Sequence, residues 1–170
     1  MQTLIWKNII RFLFLVILQG MALTQFPIPG NLQVFIYILF ILLLPYQTPN
    51  SILLILSFLL GFCIDFFTGT IGLHTATCTF MGFCRILYFK AHEAGPHENE
   101  LQGTPGSCRM GRGNFIWYCI LLIVCHHVFF FLLEAFSFRH ILYTLWLIIG
   151  SSILTFLAVM IALSVFRSKE

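Results

Sequence analysis

Long apolar runs, parted by brief polar stretches, fill this chain of 170 residues. The runs are continuous and do not alternate, so they predict helices and not the strands of a barrel. A helix of about 18 apolar residues crosses a bilayer core of ~30 Å, and inside that core it satisfies its own backbone groups. The pattern predicts an all-α integral membrane protein, with about six transmembrane helices in one bundle. The expected spans are residues 4–24, 32–45, 49–67, 72–90, 115–136 and 141–166. The second is short for a straight crossing at ~1.5 Å per residue. It needs Leu32 and Gln33 at one interface and Tyr46 at the other. Pro45-Tyr46-Gln47-Thr48-Pro49-Asn50 then reads as a tight turn, with Pro49 suited to the first turn of the next helix.

Composition agrees with the pattern. The chain is 59% hydrophobic and 9% charged, a balance that excludes a water-soluble domain. The net charge of +3 carries meaning through its placement and does not suggest nucleic-acid binding. With six crossings and both termini cytoplasmic, Lys7, Arg11, Arg85, Lys90, Arg109, Arg112, Arg167 and Lys169 fall on the inner side and only Arg139 outside. Five crossings would put Arg167 and Lys169 outside, so the positive-inside rule favours six. Lys7 and Arg11 ahead of an apolar run resemble a secretory signal, but no clear cleavage site follows, and an uncleaved first helix is expected. Residues 91–114 form a Gly-rich flexible cytoplasmic loop in this scheme.

Metal and redox chemistry have little support. Cys63, Cys78, Cys84, Cys119 and Cys125 lie in apolar runs, where cysteine behaves as a small hydrophobe. Cys108 sits in the cytoplasmic loop, where thiols stay reduced, and no CxxC pair occurs. His92-Glu93-Ala94-Gly95-Pro96-His97 has one residue too many for HExxH, and its Gly and Pro break the helix that motif needs. No cofactor is expected.

Polar groups within the spans are the functional candidates, because each is costly in lipid. Ser57, Gly61 and Asp65 recur every four residues and share one helix face. Span four offers Thr75, Cys78, Thr79 and Gly82 as a matching small-residue stripe. The turn Thr68-Gly69-Thr70-Ile71-Gly72 joins the two as a helical hairpin. Asp65 would then lie near the outer end, within reach of His74 or of the free amides that open span four. A structural cap is the first reading of Asp65, and a proton or ion site is the alternative. His126 and His127 fall near the middle of span five and Glu134 near its outer end, about 10 Å along the axis from His127. Imidazoles bonding between helices are expected there, with a proton-coupled path as the alternative. Arg85 is expected to snorkel to lipid headgroups. Span six carries Thr144, Ser151, Thr155, Ala158 and Ala162 as a further packing stripe, for another span or for a partner. No nucleophile–base pair, carboxylate pair or phosphate loop appears, so no enzyme is expected.

The segment Gly61-Phe62-Cys63-Ile64-Asp65-Phe66-Phe67-Thr68-Gly69-Thr70-Ile71-Gly72-Leu73-His74-Thr75 resembles the signature hairpin of the MreD family, bacterial rod shape-determining membrane proteins. Length, short loops and a basic C-terminal end are similar to that family in outline, whereas the loop at 91–114 departs from it. The resemblance implies a non-enzymatic scaffold of the cell inner membrane. Its expected partners are an MreC-like bitopic membrane protein and, indirectly, MreB filaments and peptidoglycan synthases. Small-residue faces (Ser57, Gly61, Asp65, Gly69, Gly72, His74, Thr75, Gly82) would serve helix packing or the partner interface, and His126, His127 and Glu134 an intramembrane polar site. Basic inner ends would meet anionic membrane lipid. The family's likeness to substrate-binding subunits of vitamin transporters implies a second possibility, a solute-binding membrane subunit.

Overall fold

The computed structural model describes residues 2–22, 29–70, 72–92, 103–106, 110–136 and 141–167. Six α-helices and no strand occur among them: α1 (Gln2–Ile17), α2 (Leu39–Leu42), α3 (Asn50–Thr68), α4 (Leu73–His92), α5 (Arg112–Ala135) and α6 (Ile141–Arg167). A π-helical turn, Leu18–Ala22, prolongs α1, and 3₁₀ turns at Pro29–Asn31 and Ile36–Ile38 precede α2. Among the described residues three helices are long and apolar enough to cross a membrane: α3, α5 and α6. Their outer faces carry large apolar side chains, with Phe66 82%, Trp117 68% and Leu142 80% exposed, which suits contact with lipid tails.

Helices α3, α4, α5 and α6 pack one against the next in chain order. The surprise is residues 32–45. Instead of one spanning helix, they run extended, then through a 3₁₀ turn, then through the four-residue α2. This broken strut sits at the centre of the bundle, in contact with α1, α4 and α6. Every residue from Tyr37 to Leu44 is at most 9% exposed. The run is apolar because it is core.

A second surprise concerns Arg85. Its place near a helix end predicts a side chain that reaches headgroups, but it is 1% exposed and turns inward. Its Nη2 donates to the Leu44 carbonyl, and its Nε donates to the Tyr118 hydroxyl over 2.9 Å. The guanidinium also lies 5.3 Å from the centre of the Phe89 ring. Most of the 91–114 loop, with Cys108 and Arg109, and Arg139 lie outside the described residues.

Candidate functional site

Two polar constructions meet inside the bundle. The first is the α3–α4 hairpin. Asp65 is 7% exposed and its carboxylate is saturated by donors. Oδ1 accepts from the Thr70 hydroxyl at 2.8 Å and the His74 amide at 2.9 Å. Oδ2 accepts from the Thr75 amide at 2.9 Å and the Thr75 hydroxyl at 2.5 Å. The first amides of a helix have no partner within it and favour negative charge, so Asp65 caps α4 from the preceding helix. Its own carbonyl accepts from the Gly69 amide at 2.9 Å and closes α3. Gly69 and Gly72 take φ of 69° and 83°, the left-handed conformation that a side chain would strain.

Below the cap the two helices touch at backbone distance. A Cβ on Gly61 would collide with the His74 carbonyl and lie 2.5 Å from the Thr75 Cα. A Cβ on Gly82 would lie 2.6 Å from the Ser57 Oγ. Ser57, Gly61, Gly82 and Thr75 therefore act in packing this chain on itself, and no room is left on that face for a partner's helix. The stripe on α6 is used internally too: Thr144, Ser151 and Thr155 are buried at 5%, 0% and 0% exposure.

The second construction holds the broken strut. Its extended backbone cannot satisfy itself, so side chains from other helices do so. The Gln33 amide donates to the Ser151 hydroxyl at 3.0 Å and the Phe35 amide to the Thr155 hydroxyl at 3.1 Å. Gln19 is bidentate: its Nε2 donates to the Val34 carbonyl at 3.0 Å, and its Oε1 accepts from the Ile36 amide at 2.9 Å. At the far end the carbonyls of Leu42, Leu43 and Leu44, at and just past the end of α2, have no helical donor. Tyr118 donates to Leu42 at 2.9 Å, Arg11 to Leu43 at 3.3 Å and Arg85 to Leu44. Irregular backbone at membrane depth is tolerated only under such conditions.

Between these ends lies a cluster of rings. The Tyr37 hydroxyl bridges His74 Nδ1 at 2.8 Å and His126 Nε2 at 3.0 Å. A hydroxyl has one proton to donate, so one of the two imidazole nitrogens must donate to it. His127 is oriented separately. Its Nδ1 donates to the Ile123 carbonyl at 2.8 Å, which leaves Nε2 to accept from the Thr155 hydroxyl at 3.1 Å. His126 and His127 are both 0% exposed, and His126 Nδ1 has no hydrogen-bond partner among the described residues.

The fold thus gathers His74, His126 and His127 around Tyr37 and Phe35, with Asp65 bonded to the backbone amide of His74. It leaves Glu134 exposed on α5, outside this cluster. Sequence reasoning missed Tyr37, Gln19, Tyr118 and the inward role of Arg85. The only signal was a polar residue, Gln19, in an apolar run, together with a span too short to cross. Among the described residues no three His, Cys, Asp or Glu gather as a metal ion would require. Compared with known proteins, the chain matches no family model, no curated protein and no solved structure.

Proposed function

We propose that this chain is a non-enzymatic scaffold of the MreD type in the bacterial inner membrane. In this reading it crosses six times with both termini in the cytoplasm. It binds an MreC-like single-span protein and through it helps link MreB filaments to peptidoglycan synthases. The observation that carries the reading is the Asp65 hairpin. Its aspartate, Gly61, Gly69 and Gly72 are the residues of the resemblance, and each has a structural duty in one rigid helical corner. The buried side chains of Gln19, Tyr37 and His127 bond to backbone or to other buried side chains, as a support would need.

The small-residue faces are occupied within the chain, so the partner's helix docks on an outward apolar side of the bundle. The test is co-purification in mild detergent. An MreC-like bitopic protein should be retained by the wild-type chain, and cells carrying Asp65→Ala should lose rod shape with solute uptake unchanged. Normal shape with reduced uptake of a vitamin-like solute would replace this reading with that of a solute-binding subunit. One observation favours that second reading: a buried cluster of Tyr37, His74, His126 and His127 beside a broken helix, the kind of place where transporters hold substrates.

A further inference from the structure

Phe35 sits in a cage of rings. It projects from the extended part of the strut and is 3% exposed. Its ring centre lies 4.8 Å from that of Phe130, 5.2 Å from His127, 5.4 Å from His126, 5.5 Å from His74 and 5.6 Å from Tyr37. Four of these five neighbours carry a polar atom. A phenyl ring makes no hydrogen bond, so an apolar lining would have suited it better and avoided the cost of desolvating imidazoles. One of these neighbours, His126, has its Nδ1 buried and without a partner among the described residues. Such an orphan costs free energy unless something else uses it.

The backbone bearing Phe35 is also unlike its surroundings. Residues 32–35 belong to no helix; the amides of Gln33 and Phe35 and the carbonyl of Val34 are held by the Ser151, Thr155 and Gln19 side chains. Gly30 and Asn31, just before, take φ of 81° and 57°. To leave the core this strap needs only to exchange a few side-chain hydrogen bonds.

We infer that Phe35 is a built-in occupant of a ligand site, and that residues 29–35 form the strap that carries it in and out. The site takes a small solute with one aromatic ring and a hydroxyl or amine substituent. The ring replaces that of Phe35 against Phe130 and the imidazoles, and the substituent bonds to His126 Nδ1, which accepts or donates according to its tautomer. The inference goes beyond the scaffold reading and needs none of its partners. It gives the solute-binding reading a location and a substrate class.

The test uses the full-length protein in lipid nanodiscs with ¹⁵N-labelled histidine. The probes are 4-fluorophenol and 4-fluorotoluene, of equal shape and different polarity, compared at equal free concentration. In Phe35→Ala, 4-fluorophenol should shift the His126 Nδ1 resonance and bind about tenfold more tightly than 4-fluorotoluene, as one satisfied buried nitrogen would give. Adding His126→Phe should abolish that preference. The wild-type chain should show the same shift at higher concentration, and Gln19→Ala, which loosens the strap while keeping Phe35, should show it at lower concentration than wild type. Equal binding of both probes by Phe35→Ala would mean an ordinary greasy hole and would overturn the inference. So would a wild-type chain and a Gln19→Ala variant that never admit 4-fluorophenol. If Phe35→Ala fails to fold, the order of wild type and Gln19→Ala decides alone. None of these outcomes bears on co-purification of a single-span partner.

Discussion

The α3–α4 hairpin and the strut at residues 29–44 solve the same problem by opposite means. Both place polar backbone in an apolar bundle, where each unsatisfied group costs several kcal/mol by order of magnitude. The hairpin uses residues close in sequence: Asp65 reaches only to Thr70, His74 and Thr75. The strut recruits groups from far away, such as Thr155 for Phe35 and Tyr118 for Leu42. A local solution closes as soon as the turn forms. A distant one requires α1, α4, α5 and α6 to be assembled first, and each of its bonds is separately replaceable. The hairpin is accordingly suited to be a fixed corner and the strut to be an adjustable part.

This contrast can be broken most severely at Gly61. A Gly61→Val side chain meets backbone atoms of His74 and Thr75, which cannot rotate away. The α3–α4 contact should open, at a cost of about 3 kcal/mol or more, seen as a large fall in thermal stability in detergent. Asp65→Ala comes next. It strips the His74 and Thr75 amides of their acceptor, and a loss of about 2 kcal/mol is expected. Asp65→Asn should recover part of it, because an amide oxygen still accepts. Amide hydrogen exchange should rise at the start of α4 in both variants and stay unchanged in the strut.

The strut should respond differently. Gln19→Ala frees the Val34 carbonyl and the Ile36 amide, and a loss of about 1 kcal/mol is expected, since buried polar pairs in membrane bundles are individually modest. Hydrogen exchange should increase at residues 34–36 with global unfolding little changed. Equal destabilisation of the hairpin would show that the two regions form one unit. The smallest effect belongs to Ser57→Ala. The Ser57 hydroxyl donates to Leu53 within its own helix at 2.8 Å, and its packing against Gly82 survives the change. Stability should move by less than about 0.5 kcal/mol. A larger loss would mean that the hydroxyl, and not merely the small size, joins the helices.

The hairpin was largely legible beforehand. Its four-residue stripe, its glycines and its single carboxylate are local signals whose spacing implies a shared face and a turn. The strut was not. Residues 32–45 appeared as a weak crossing because apolarity marks burial in protein and burial in lipid alike. Arg85 was expected at the headgroups because a long cationic side chain near a helix end ordinarily reaches water. The bare carbonyls of α2, brought beside it by distant packing, offered a nearer partner. The histidines were legible as bridges between helices but not as a pair sharing Tyr37, since nothing local relates residues 37, 74 and 126.

The order of residues alone determined the long helices, their greasy outer faces, the small-residue contact and the capped corner, because periodicity, side-chain size and turn chemistry act over a few residues. Only the tertiary structure decided that the second apolar run is a broken strut at the centre, that the small-residue faces are filled from within, and that three histidines and a tyrosine surround Phe35. Those outcomes depend on which backbone groups are left without hydrogen bonds once the helices have packed, and that is a property of the assembled bundle.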